Sequence, residues 1–194
     1  MQTLKILIVE DESLIAAGLQ AHLQKIGHTV VGHAKDGQSV LPMVKKLNPD
    51  VVLLDINMPG INGLEAAELL AAEAPVAIVI LTGYSDINFI NKASELGIEG
   101  YLVKPVTEDD LKPALELAYK NFQQKRKLQE DVQTAKLDLE NRKLVEQAKG
   151  ILMEMKGLKE AEAMALLQKK SRDTRTKITD VARKIIKAAS MLEI

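Results

Sequence analysis

Cysteine is absent from the chain, so neither a disulfide framework nor a thiolate metal site is available to it. Tryptophan is also absent, and the aromatic complement is 2 Phe and 3 Tyr, too few for a surface that stacks on bases or sugars. Three scattered histidines do not make a zinc site. No apolar run approaches the length of a membrane span. Acidic residues follow the first strand-like run too soon for a secretory leader, so a cytoplasmic protein with no membrane partner is the expectation.

What the chain does hold is ordinary globular material in 194 residues, 46% hydrophobic and 27% charged. The net charge of −1 conceals an asymmetry. Residues 1–120 carry 9 Lys/Arg against 16 Asp/Glu, whereas residues 142–194 carry 13 against 7. An acidic N-terminal part joined to a basic C-terminal part predicts two modules with different partners, the basic one suited to a polyanion.

Short apolar runs at residues 5–9, 30–34, 51–54, 77–81 and 100–103 alternate with helical patterns at 13–26, 37–47, 63–73, 86–96 and 107–120. Runs without polar alternation fit strands covered on both faces. Five β–α pairs predict a five-stranded doubly wound parallel sheet, with every strand C-terminus on one edge. Beyond Pro113 neither Gly nor Pro occurs until Gly150, which predicts one long helix. Leu128, Val132, Ala135 and Leu139 form a seam on it, interrupted by Arg142 and Glu146. Two readings stay open for this helix, a solvated linker and a dimer-forming coiled coil. Further helices over 158–171 and 176–192 complete a three-helix unit. The domain layout is then 1–120, a helical linker at 121–141, and an all-α unit at 135–194 whose first helix continues the linker.

The sheet edge collects the residues that carry chemistry. Glu10 and Asp11 follow the first strand, Asp55 ends the third, Thr82 ends the fourth, and Lys104 follows the fifth. Three carboxylates in one cleft repel unless a cation sits among them, and oxygen-only ligands favour Mg²⁺. Lys104 and the Thr82 hydroxyl are placed to hold phosphoryl oxygens.

These residues, with Glu12, the run Asp55-Ile56-Asn57-Met58-Pro59-Gly60, Gly63, Thr82-Gly83 and Tyr101-Leu102-Val103-Lys104-Pro105, resemble the signature of two-component receiver domains, of flavodoxin-like fold. The resemblance implies that Asp55 accepts a phosphoryl group from a sensor histidine kinase. It implies that Glu10, Asp11, Asp55 and the backbone carbonyl of Asn57 hold Mg²⁺. Thr82 and Tyr101 match the switch pair, in which Tyr101 swings inward behind Thr82 and the face at about residues 84–115 changes shape. The chain would then be no enzyme beyond its own phosphoryl transfer and dephosphorylation.

The run from Arg142 to Met153, with Gly157, Glu162-Ala163, Leu167, Ser171-Arg172 and Val181-Ala182, resembles the ANTAR domain. That family is a three-helix RNA-binding module, and the layout is similar to that of amidase and ethanolamine-utilisation antiterminators. The resemblance implies binding to paired RNA stem-loops in nascent transcripts, and the long helix, read as a coiled coil, would bring two such modules together in a homodimer formed on phosphorylation. Met164 stands where an aromatic is frequent in the family, Gln168 where Arg is frequent, and Ser171 where Ala is frequent. With no ring in the basic unit, recognition falls to phosphate contacts. The RNA-facing candidates are Arg142, Lys149, Arg172, Arg175, Lys177 and Arg183, with Ala148 and Gly150 small enough either for close approach of a loop or base or for close helix–helix packing. A DNA-binding or protein-binding response regulator is the alternative. The stretch 176–192 has no Asn or Gln to read adenine, which disfavours DNA.

Overall fold

The computed structural model describes residues 2–83 and 96–191. The helix expected at 86–96 lies almost wholly outside them, as does the end of the helix expected to reach residue 192. The chain divides into two compact units, residues 1–126 and 127–194.

The first unit is built on five strands, β1 (Lys5–Val9), β2 (Thr29–Ala34), β3 (Val51–Asp55), β4 (Ala77–Thr82) and β5 (Gly100–Val103). They form one parallel sheet in the order β2-β1-β3-β4-β5, as the alternating pattern predicts. The order reverses direction between β1 and β3, and their C-terminal ends open a crevice there. β3 and β4 are buried along their whole length. That is why they read as unbroken aliphatic runs: helices cover both faces and leave no solvent side to alternate with.

One face of the sheet packs Leu7, Val52, Leu54, Ile78 and Ile80 against α2 (Val40–Leu47) and α3 (Gly63–Glu73). The other packs Ile6, Ile8, Leu53, Val79 and Leu81 against α1 (Ser13–Lys25) and Leu111, Leu115 and Ala118 of α4 (Glu108–Lys156). The start of α3 is set by a capping box. Asn62 Oδ1 accepts from the backbone N–H of Leu64 and of Glu65, each at 3.0 Å, and Glu65 Oε2 accepts from the Asn62 N–H at 3.2 Å.

α4 is a single helix of 49 residues. It starts after Thr107, whose N–H and hydroxyl both donate to Asp110, and three acidic residues occupy its first turn, where the helix dipole favours them. Pro113 falls near this start, where little of the hydrogen-bond ladder precedes it. The expected helix at 107–120 and the long linker helix are thus one element. It ends at Gly157, whose φ of 63° is left-handed.

The second unit adds α5 (Glu160–Thr174) and α6 (Ile178–Ser190) to the last part of α4. Its core is small: Ala148, Leu152, Ala163, Leu167, Val181 and Ala182, flanked by Leu144, Val145, Leu166, Ile178, Ile185 and Ile186.

Candidate functional site

Glu10 leaves β1 at the crevice and is wholly buried. Its Oε1 accepts from the Glu12 N–H at 3.2 Å, its Oε2 accepts from Lys104 Nζ at 2.7 Å, and its carbonyl pairs with His33 Nε2 at 2.7 Å. Asp55 ends β3, next to β1, and is 3% exposed. Its Oδ2 lies 2.9 Å from Lys104 Nζ and its Oδ1 accepts from the Asn57 N–H at 3.3 Å. Asp11, more open to solvent, completes a group whose carboxylate oxygens all lie within 4.8 Å of one another.

Lys104 comes from beyond β5, two strands away from Asp55. It reaches the cleft because the parallel register sets its N–H on the carbonyl of Thr82 at 2.7 Å. Thr82 is buried at the end of β4. Tyr101 is 49% exposed on β5.

The electrostatics follow from this crowding. Burial raises the Glu10 carboxyl above its ordinary range and the charge of Asp55 raises it further, although Lys104 opposes both. Burial works against the charge on Lys104. Its hydrogen bonds to Glu10 and Asp55 outweigh that effect and hold the ammonium above its usual value. Three carboxylates and one ammonium leave an excess of negative charge on oxygen donors alone, which fits a hard divalent cation.

Gly63 contributes from behind. A β-carbon there would run into the carbonyl of Asp55 and stand 2.8 Å from the Ile56 Cα. Glycine at this position lets α3 pack against the chain segment that aims the Asp55 carboxylate. His33 and Gly63 support the cleft through tertiary contacts; Gly63 was visible within the family signature, His33 had no signal.

In the second unit the expected RNA-facing residues separate into three groups. Ala148 is wholly buried in the core, where its small size admits Ala163 and Leu167. Lys149 is 9% exposed and its ammonium lies 2.6 Å from Glu146 and 2.7 Å from Glu160. Both bonds hold it above its ordinary pKa and tie α4 to the start of α5. Gly150 is exposed in mid-helix, with nothing within 4 Å of where a β-carbon would stand.

Arg142, Arg172, Arg175, Lys177 and Arg183 are all exposed. Arg172 Nε donates to the Gln168 carbonyl at 3.4 Å and Arg183 lies 3.6 Å from Asp180. Arg175, the residue after α5, holds a left-handed φ of 50°. Among the described residues no helix is long and apolar enough to cross a membrane.

Comparison with known proteins agrees with this division. The response regulator receiver domain family matches residues 6–116, and the ANTAR domain family matches residues 133–186. The chain is 38% identical over 182 residues to the transcriptional regulatory protein PdtaR of Mycobacterium tuberculosis, covering 94% of this chain and 89% of that one. The signal receiver domain of a modulated diguanylate cyclase from Desulfovibrio desulfuricans superposes with a TM-score of 0.59 at 33% identity, over 64% of this chain and 99% of that one. The isolated REC domain of RcsB from Salmonella enterica, solved with the phosphomimetic BeF3-, gives 0.55 at 25% identity, over 59% of this chain and 87% of that one. The chain belongs to the response regulator receiver family and carries an ANTAR domain as its output module.

Proposed function

We propose that the chain is a phosphorylation-controlled transcription antitermination regulator, acting in the cytoplasm. Asp55 takes the phosphoryl group of a sensor histidine kinase, and the ANTAR domain then binds RNA stem-loops in nascent transcripts as a homodimer. The observation that carries this reading is the cleft in which Asp55 is buried beside Glu10, Asp11 and Lys104, in a chain whose other end is an ANTAR domain.

Glu10, Asp11, Asp55 and the Asn57 carbonyl would hold Mg²⁺, which neutralises charge on the transferring phosphoryl oxygens. Asp55 Oδ attacks phosphorus, the bond from phosphorus to the kinase imidazole nitrogen breaks, and its electron pair returns to that nitrogen. The chain's own part is orientation. Lys104 already sits on Asp55 and moves with the new group, trading a carboxylate oxygen for a phosphoryl one. The Thr82 hydroxyl, at the adjacent strand end, closes on a second oxygen. The modification adds about 1.5 to 2 negative charges at neutral pH, enough to bias two arrangements of the same cleft. Tyr101, exposed here, is the residue expected to turn inward. No metabolic reaction is assigned to the chain beyond its own phosphorylation and dephosphorylation.

An apolar stripe on α4 favours the dimer. Leu128 is 65% exposed, Val132 46% and Leu139 55%, a line of side chains that a second copy would cover.

The test recovers RNA from total transcripts with the protein activated by beryllofluoride and Mg²⁺, or untreated. Tandem hairpins upstream of terminators are expected only from the activated sample and not from Asp55→Ala. Equal recovery from all three samples defeats phosphorylation control, and recovery of none defeats the RNA output.

A further inference from the structure

α6 buries one face and charges the other. Val181 and Ala182 are buried and Ile178, Ile185 and Ile186 pack beside them. The outer face needs only to be polar, yet it presents Lys177, Lys184 and Lys187, all exposed. At 3.6 residues per turn these three lie within about 80° of arc, along about 15 Å of helix. The one acidic residue of the helix, Asp180, is engaged with Arg183 at 3.6 Å.

Among the described residues no carboxylate lies within ion-pair distance of Lys177, Lys184 or Lys187. The contrast within the same unit is Lys149, which two glutamates neutralise. Of these lysines only Lys187, in the last turn, stands where the helix dipole favours a cation. Lys184 and Lys187 are like charges one turn apart, which repel. Lys177 stands at the N-terminal end, where the helix dipole opposes a cation, and makes no capping hydrogen bond. Among the described residues no ion pair inside the unit offsets these costs, whereas a polyanion would. Residues 127–194 contain no Phe, Tyr or Trp, so a partner held there is held by charge and not by stacking.

We propose that the ridge Lys177–Lys184–Lys187 is the surface by which the output module grips the phosphate backbone of its RNA. This rests on the reading that the module binds RNA, and locates that contact on α6, away from the Ala148–Lys149–Gly150 segment of α4. Lys184 and Lys187 act with Lys177 as sequence-independent phosphate contacts, leaving discrimination among hairpins to other residues.

The experiment uses the full chain, activated with beryllofluoride and Mg²⁺, and an RNA hairpin and a duplex DNA of the same stem sequence as probes. Binding is measured across a salt series for the wild type, for K177Q/K184Q/K187Q, and for K127Q/K136Q/K156Q as a control of equal charge. Circular dichroism and thermal unfolding establish that each variant is folded. The expected result is at least a tenfold loss of hairpin affinity for the α6 variant alone. Its plot of log affinity against log salt should flatten by about 0.7–0.9 for each lysine removed.

A wild-type chain that binds hairpins beside an α6 variant with the same affinity and slope overturns the ridge and leaves RNA binding standing. An equal loss in the control variant overturns it as well, since net charge would then be the cause. Loss of duplex DNA with hairpin binding intact would assign the ridge to a different nucleic acid. A wild-type chain that binds no hairpin overturns the RNA reading and the ridge with it.

Discussion

The ammonium nitrogen of Lys104 stands 2.9 Å from Oδ2 of Asp55, and the same nitrogen stands 2.7 Å from Oε2 of Glu10. One cation thus holds two buried carboxylates that would otherwise repel. Replacing Lys104 by Gln should lower the stability of the metal-free chain by about 3 kcal/mol, as expected when one partner of a buried pair is removed. Added Mg²⁺ should restore more stability to this variant than to the wild type, because the site has lost its internal competitor. Thermal unfolding with and without Mg²⁺ measures both effects. Equal Mg²⁺ stabilisation of the two proteins would separate the metal from this cluster.

Gly63→Ala places a methyl group against the carbonyl of Asp55. The backbone there is hydrogen-bonded, Gly63 N–H donating to the Ile56 carbonyl at 3.0 Å, so it yields little. A loss of about 2 kcal/mol or more is expected, at the level of overpacked cores. Phosphorylation of the folded fraction by a small phosphodonor should slow as well, since the displaced atoms belong to Asp55, the proposed acceptor. Denaturant titration and single-turnover phosphorylation separate the two.

His28 carries a pH dependence. It is 5% exposed, its Nδ1 accepts from the Leu4 N–H at 3.3 Å, and its Nε2 has no partner. Burial holds its pKa below the ordinary 6.5, the charge of Glu116 opposing this only in part. The unfolded chain therefore binds a proton that the folded chain refuses. The stabilising contribution is complete above pH 6.5 and is lost as the pH falls from there through the folded value. Denaturant midpoints between about pH 7 and 5, above the ordinary carboxylate range, should slope less in His28→Asn, which keeps an acceptor for Leu4 and does not titrate.

Gly150 sits in mid-helix with open space around it. Gly150→Ala should stabilise the unit by about 1 kcal/mol through helix propensity alone. If an RNA backbone or a second helix comes close at this point, the same change weakens that association. Thermal unfolding and hairpin binding run on the same preparations should then move in opposite directions. Parallel movement, or unchanged binding, would free the glycine from any contact role.

Val132→Lys with Leu139→Lys charges the exposed stripe of α4. The activated double variant should sediment as a monomer and bind a tandem-hairpin RNA more weakly than the wild type, because the avidity of paired modules is lost. Binding to a single hairpin should hardly change. A double variant that still dimerises would move the interface elsewhere.

The sheet was legible because β3 and β4, and β1 beyond Lys5, have no solvent face, so their burial is written as nearly continuous aliphatic sequence. Glu10, Asp55, Thr82 and Lys104 were legible for a related reason: parallel topology fixes where strand ends go before any distance is known. Helix ends were harder. α2 begins at Val40 and not at 37, because Asp36 accepts from both the N–H and the hydroxyl of Ser39 and holds that stretch in a turn. A β-carbon at Gly37 would also press on Ile61. Ala148 and Lys149 show what sequence alone conceals. Lys149 was expected on an RNA-facing surface and Ala148 either there or in helix packing; the partners that bury Ala148 and that neutralise Lys149 from α5 come from across a helical corner. No spacing within one helix reveals such a corner.

α4 runs without a break from its exposed stripe into the core of the second unit. Each residue in such a rod is also a rotation of about 100°. The interval between Leu139 and Ala148 is therefore an angle as much as a length, and it sets which side of the stem the three-helix unit faces. Adding one residue there would leave every side chain chemically intact and turn the two out of phase. Adding seven or eleven would nearly restore the setting, by about 20° in either sense. Natural variation in this stem should accordingly come in steps of whole turns, and the chain would tolerate a longer arm more readily than a misaligned one.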